Sequence, residues 1–516
     1  MASQERSAFG GAASIRLNEM DNVAVARSPM PAGAACGVGD IVSENPIPSG
    51  HKIAIRPVAE GEPVIKYGQT IGIASRAIRP GEHVHLHNLA MQDSDVKHSF
   101  SSQVRTVDFF PEHERRTFQG YARPDGQVGT RNYIGIISSV NCSATVSRAI
   151  ADHFNRGGGL DGYENIDGVV ALTHGQGCAI GTDSEGYRYL TRTLSGYARN
   201  PNFAGILMIG LGCEVNQISL IQDKYNLSEG PFLRSMTIQQ LGGTRQTVEK
   251  ASSIIREMLE DLRGLERITQ PLSGLRLALQ CGGSDGYSGI SANPALGYAV
   301  DLLVQHGGTA VLSETPEIYG AEHLLTSRAV RPDVAEKLMA RIHWWEEYTV
   351  RHGAELNNNP SHGNKAGGLT TILEKSLGAV AKGGTMPLQA VYEYAEPIDQ
   401  TGLVFMDTPG YDPVAVTGQI AGGCNALIFT TGRGSVSGFK PIPTMKIATN
   451  SHMYEHMSED MDMNCGGIIT GEDTIEDAGT RLFEKLIAVA SGERTKSELY
   501  DYGHNEFVPW QLGAIT

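Results

Sequence analysis

LALQCGGSDGYSGISANP, residues 277–294, begins as a buried strand and stops being one at Cys281. Its apolar run ends in Cys281, Gly282, Gly283, Ser284 and Asp285. In open α/β sheets, ligands bind beyond the carboxyl ends of the strands. A thiol, two residues without side chains, a hydroxyl and a carboxylate at that place therefore read as a βα turn that carries chemistry. The plainer reading is a tight turn with Ser284 or Asp285 as an N-cap, and the two are compatible.

Working outward, the same grammar recurs. Apolar strand candidates lie at 133–140, 168–173, 205–211, 275–280, 309–314, 402–407 and 426–431, with helical patterns such as VEKASSIIREMLEDLR between them. This alternation predicts parallel α/β sheets. Residues 14–95 differ: short β-rich segments separated by PAG, PSGH, EGE and RPGE predict a small all-β module. A polar, aperiodic stretch at 96–117 reads as a linker. The polar segment near 262–274 divides the rest into an α/β domain at 118–268 and a C-terminal α/β catalytic domain at 269–516. A length of 516 residues agrees with about three domains.

The residues that follow the strands are Cys142, His174 with Cys178, Cys213 with Glu214, Cys281 with Ser284 and Asp285, Glu314 with Glu317, and Arg433. Free cysteines are usually buried small hydrophobes. Four of the seven at strand ends with polar neighbours weaken that reading for the set. Thiolates and imidazole suit iron or zinc, and three cysteines with an open position suit an iron–sulfur cluster. NPSHGNKAGG (359–368) and TTGRG (430–434) read as anion-holding turns in which backbone N–H groups and Lys365 or Arg433 grip a carboxylate. In GEHVHLHN (81–88), His83, His85 and His87 would share one strand face, while GHK and IKYG add His51, Lys52 and Lys66.

A net charge of −15 argues against nucleic acid. No apolar run reaches membrane length, and no secretory signal is visible. Seven widely spread cysteines do not form a disulfide framework, so a cytoplasmic protein with reduced thiols is expected.

The motif order resembles the altronate and galactarate dehydratase family. DNVAVA (21–26), GHK and VIKYG resemble its SAF-type β-clip domain. GYARPDGQVGTRNYI (120–134), VNCS, GLGCE, CGGSDGYSGISANP, NPSHGNKAGG, EKSLG (374–378), TTGRG and KIATN (446–450) resemble its body. The resemblance implies a β-clip domain followed by two α/β domains with mostly parallel sheets. It also implies a ferrous-iron hydro-lyase that turns a hexonate or hexarate into a 2-keto-3-deoxy acid. A sulfolactate sulfo-lyase shares the architecture. GEHVHLHN and EIYGAEHLL (317–325) look like the altronate branch, whereas GYAVDLLVQHGG (297–308) and ITGEDTIEDAG (469–479) also suit galactarate.

On this reading, Fe2+ is held by some of Cys142, His174, Cys178, Cys213 and Cys281, with Mn2+ as a substitute or an iron–sulfur cluster as the alternative. The base comes from Asp285, Glu314, Glu317 or His174. The substrate is gripped by His51, Lys52, Lys66, His85, Ser284, Asn364, Lys365 and Arg433. The expected partner is a small-molecule sugar acid, with no nucleic acid and no membrane, and the expected assembly is a homo-oligomer, a dimer. Competing readings are a thiol hydrolase with Cys142 or Cys178 as nucleophile and His174 as base, and a non-catalytic sugar-acid binder.

Overall fold

The computed structural model describes residues 12–92 and 98–513. The ends of the expected β-module and linker that fall on 93–97, and the last residues 514–516, lie outside the described residues.

The N-terminal module is two small antiparallel sheets. One joins Ser14–Ile15, Val23–Ala26, Lys52–Ala54 and His83–Val84. The other joins Pro63–Lys66, Gln69–Ala74 and Leu89–Ala90. The hairpin between Lys66 and Gln69 turns through Tyr67 (φ 62°) and Gly68 (φ 70°). Two successive positive φ values match the right-handed strand twist of a two-residue hairpin. Asp21 fixes this turn by accepting from Gly68 N at 2.7 Å. Of the three expected strand histidines only His83 is in a strand; His85 and His87 follow in a turn.

The middle sheet is parallel, in the order Gly168–Leu172, Tyr133–Ser138, Phe203–Gly210, Leu233–Thr237. Its strands are nearly continuous apolar runs because helices cover both faces. The chain enters through Thr117–Ala122 and leaves through Ile268–Pro271, and these two strands pair antiparallel. Part of the expected linker is tied down: Ser101 N donates to Thr326 O, Phe110 N donates to Gln305 O, and the Phe110 ring stacks on His306 at 4.2 Å.

The C-terminal sheet has seven parallel strands in the order Leu388–Tyr392, Gly402–Met406, Thr309–Leu312, Arg276–Cys281, Ala426–Thr431, Thr444–Ala448, Met463–Asn464. The chain starts in the centre with Arg276–Cys281, builds one side, then crosses to Ala426–Thr431 and builds the other. The order therefore reverses between the strands that end in CGGSD and TTGRG, the place where such sheets hold ligands. Apolar residues of the β-module, including Val64, Ile71 and Leu89, join the core of this domain. All seven sequence-predicted strands are present.

Candidate active site

At the switch point the backbone folds tightly. Gly283 has φ +61°, and its carbonyl accepts from Gly432 N and Arg433 N, so the CGGSD and TTGRG turns are bonded directly. A Cβ on Gly282 would lie 2.4 Å from Asp412 Oδ2, so only glycine admits that carboxylate.

Beneath these turns lies a buried charged cluster. The Cys281 sulfur is 3.8 Å from Glu314 Oε2 and 3.5 Å from Glu317 Oε2. Lys382 Nζ donates to Cys281 Sγ at 2.8 Å and to Glu314 Oε2 at 2.7 Å. Lys375 Nζ donates to Glu317 Oε1 and to Asn359 Oδ1, both at 2.7 Å, and Asn359 Nδ2 donates to Glu317 Oε1. None of these five ionisable side chains is more than 6% exposed. Charges this deep persist only when paired.

Burial favours the neutral acid at Glu317, but Lys375 and Lys382 hold its carboxyl below the usual range. Burial pushes Glu314 up to about 8, against the pull of Lys382. Asp412 rises to about 7, through burial and then the Glu317 charge. Burial also drives the Cys281 thiol upward. Glu317 is thus held toward its ionised form, while burial pushes Glu314, Asp412 and Cys281 toward their neutral forms. Glu314 also has the left-handed backbone (φ 68°) that non-glycine residues adopt at a cost, and its Oε1 is buried without a partner.

The β-module covers this edge. Lys52 and Lys66, 0% and 1% exposed, both bond to Glu374 at 2.8–3.0 Å. Glu374 and Lys375 lie on the helix Ile372–Val380, every residue of which is buried. Two ammonium groups hold the Glu374 carboxyl far below the usual range despite burial. Between module and domain is a cavity of about 10 Å³, lined in part by Tyr67, Cys281, Ser284, Asp285, Glu374 and Lys375. That is room for about one water.

The expected substrate contacts gather around the same edge. His51 Nδ1 lies 3.0 Å from His83 Nε2, His51 Nε2 lies 3.2 Å from Ala366 O, and His85 Nε2 lies 2.9 Å from Lys365 O. Asn364 Nδ2 donates to Ser284 O, and the Ser284 hydroxyl is buried without a partner. Lys365 is half-buried and Arg433 exposed.

Two expectations need correction. The five expected metal ligands do not form one centre: Cys281 is buried here, whereas Cys142, Cys178 and Cys213 are exposed in the middle domain. Among the described residues, only Cys281, Glu314 and Glu317 bring three candidate ligand atoms within 4.8 Å of one another. His174, expected as ligand and base, spends both ring nitrogens locally, on Ser138 O and Gln176 N. Asp285 is likewise committed, since Tyr287 N, Ser288 Oγ, Thr449 Oγ1 and Asn450 Nδ2 all donate to it. It braces the turn, which the N-cap alternative came closer to describing.

Lys375, Lys382 and Asp412 carry no strand-end signal in the sequence because they lie on helical segments, not directly after a strand. A signal was available: EKSLGAVAKGG places a carboxylate and two lysines in a segment otherwise free of polar surface pattern. Lysines with no polar face to occupy are candidates for burial and pairing.

Three family models match the chain: the altronate/galactarate dehydratase SAF domain at residues 12–92, the D-galactarate dehydratase/altronate hydrolase second domain at 120–263, and the D-galactarate/altronate dehydratase C-terminal domain at 272–515. The chain is 36% identical over 496 residues to an altronate dehydratase of Bacillus subtilis, covering 95% of this chain and 97% of the relative. It is 36% identical over 511 residues to a galactarate dehydratase (L-threo-forming) of Escherichia coli, covering 97% of each. It is 34% identical over 401 residues to a (2R)-sulfolactate sulfo-lyase subunit beta of Chromohalobacter salexigens, covering 77% of this chain and 98% of that one. The chain belongs to the D-galactarate/altronate dehydratase family of sugar-acid hydro-lyases.

Proposed function

We propose that the switch-point edge of the seven-stranded sheet eliminates water across C2 and C3 of a hexonate, D-altronate first, to give a 2-keto-3-deoxy acid. Galactarate or another aldarate is the competing substrate, and a sulfolactate-type elimination the more distant one. The observation that carries this reading is the pair of buried lysines, Lys375 and Lys382, held against Glu317, Glu314 and Cys281.

A proton beside a carboxylate is poorly acidic. Its removal needs positive charge placed where the enolate-like charge develops, more strongly than in the ground state. Buried ammonium groups supply that charge in a medium that screens it weakly. The departing C3 hydroxide needs a proton or a Lewis acid.

Ferrous iron fits the donor set. One thiol and two carboxylates within 4.8 Å suit iron or manganese, and the orphaned Glu314 Oε1 has a lone pair to offer. Cys281, Glu314 and Glu317 would hold the ion, which would polarise the leaving hydroxyl. A hexonate exceeds the one-water cavity, so entry requires the β-module or the 359–369 segment to shift. GEHVHLHN and EIYGAEHLL favour altronate. Among the described residues no helix is long and apolar enough to cross a membrane.

The test is an anaerobic panel of D-altronate, galactarate and sulfolactate assayed for the keto-acid product. Turnover of D-altronate at least tenfold faster than galactarate supports the assignment; the reverse order assigns the aldarate. Full activity in Lys382→Met would reject the site.

A further inference from the structure

The turn that carries Glu314 and Glu317 is held from outside the charged cluster. Glu314 has a left-handed backbone (φ 68°), and in the single turn Thr315–Ile318 that follows, Glu317 N donates to Glu314 O at 2.7 Å. A non-glycine residue persists in that region only where its surroundings fix it. The fixing comes from the neighbouring strand, Gly402–Met406, which is followed by Asp407 and Thr408. Glu314 N donates to Thr408 Oγ1 at 2.9 Å and Thr315 N to Thr408 O at 3.0 Å. Thr315 Oγ1 donates to Asp407 Oδ1 at 2.6 Å. Thr315, Asp407 and Thr408 are all buried.

Asp407 is anchored in turn from its other side. Trp345, on the helix Pro332–Arg351, donates its Nε1–H to the same Oδ1 at 2.8 Å. The Trp345 ring stacks on Trp510 of the C-terminal tail, with centroids 5.3 Å apart and planes 7° apart. Trp510 also stacks on Tyr189 of the middle domain at 5.3 Å, and its backbone N–H donates to Tyr394 Oη at 3.2 Å. The chain's three tryptophans, Trp344, Trp345 and Trp510, meet at this place. Rigid, mutually stacked rings are a stiff support for a hydrogen-bond donor.

The division of labour within the carboxylate is specific. Oδ1 takes both bonds, whereas Oδ2 is buried without a hydrogen-bond partner and lies 3.9 Å from Arg341 Nη1. Burial pushes the Asp407 carboxyl up to about 6, against the bonds from Thr315 and Trp345. One acceptor oxygen therefore does the holding, and an amide of the same shape retains it. The turn so held sets two short ion pairs, Glu314 with Lys382 and Glu317 with Lys375, both at 2.7 Å.

We propose that Asp407 is a positioning residue for the elimination proposed at this site. Through Thr315 it fixes the turn that presents Glu314 and Glu317 to the two lysines, and Trp345, backed by Trp510, fixes Asp407. The assignment rests on that functional reading, but the placement it invokes is readable without turnover.

The test compares Asp407→Asn, Asp407→Ala, Thr315→Val and Trp345→Phe in the full chain. One readout is steady-state kinetics on whichever of D-altronate, galactarate and sulfolactate the wild type turns over. The other is hydrogen–deuterium exchange of the peptide that contains residues 314–318. Asp407→Ala should lower kcat about 10²-fold, the scale of a misplacement of about 1 Å, with KM changed less than about threefold. Thr315→Val and Trp345→Phe, each removing one donor, should lower kcat about tenfold. All three should speed exchange in the turn. Asp407→Asn, which retains the acceptor, should stay within about twofold of the wild type in both readouts. If Asp407→Ala does not fold, the other three variants carry the same comparison. A loss of kcat in Asp407→Asn as large as in Thr315→Val, or unchanged exchange in Thr315→Val and Trp345→Phe, would overturn the proposal. A wild type that turns over none of the three acids rejects the elimination instead, and the exchange pattern still decides whether Asp407 places the turn.

Discussion

The two parallel sheets treat the same sequence signal in opposite ways. In each, cysteine follows an apolar strand. Cys281 ends beneath the β-module and the helix Ile372–Val380, where ammonium and carboxylate groups surround it. Cys142, Cys178 and Cys213 end at an exposed edge, with their loops bonded to one another and the sulfurs left free. The difference lies in the cover. A covered edge forces its charged groups to pair, whereas an open edge leaves thiols available to an outside ligand.

The largest test of this contrast is Glu374→Gln. It leaves Lys52 and Lys66 buried with no opposing charge, so unfolding in urea should show a loss of about 3–5 kcal/mol. A loss below about 1 kcal/mol would mean the module is held by its apolar contacts alone. Next comes Lys382→Met, which removes the cation between Cys281 and Glu314. Its kcat should fall roughly 10²–10³-fold, as when a preorganised stabilising group is lost, with KM shifting less.

The histidines of the covered edge should make a smaller, acid-sensitive contribution, opposed by the raised carboxyls of Glu314 and Asp412. Burial and neighbouring cations lower His83 to about 3 and His85 to about 4 in the folded chain. The fold thus favours their neutral forms. This contribution is complete above the unfolded value near 6.5 and is lost as pH falls toward the folded values. Between pH 7 and 5 each half-buried ring should cost about 1 kcal/mol after allowance for solvent screening. Glu374, held far lower, stays ionised throughout that window. Urea midpoints at the two pH values, compared with those of a His83→Asn/His85→Asn variant, check the slope. The smallest effect belongs to the open edge: serine at Cys142, Cys178 or Cys213 should change apo stability by less than about 0.5 kcal/mol, since these side chains are exposed.

Much of the frame was legible in the residues. Central strands such as GILMIGL are long apolar runs with turn residues at both ends, and all seven expected ones formed. Leu233–Thr237, with four of five residues partly exposed, and Leu388–Tyr392, with two of five, were missed at sheet edges, where that exposure breaks the apolar run. The site was read less completely. Glu314 and Glu317 reach the cluster as expected of residues following a strand, but Asp285 and His174 are consumed by local hydrogen bonds that no spacing rule reveals.

Strand periodicity, turn chemistry and motif order are local properties, so the chain's order of residues already implied parallel α/β sheets, a leading β-module and the family. The choice of which thiol is buried among charges is not local. Lys52 lies 322 residues from Glu374, and Lys382 lies 101 from Cys281. Such pairings exist only once distant segments have packed together, the β-module onto the strand ends for Lys52 and helix onto strand for Lys382, because that packing sets both the burial that perturbs a group and the partner that rescues it.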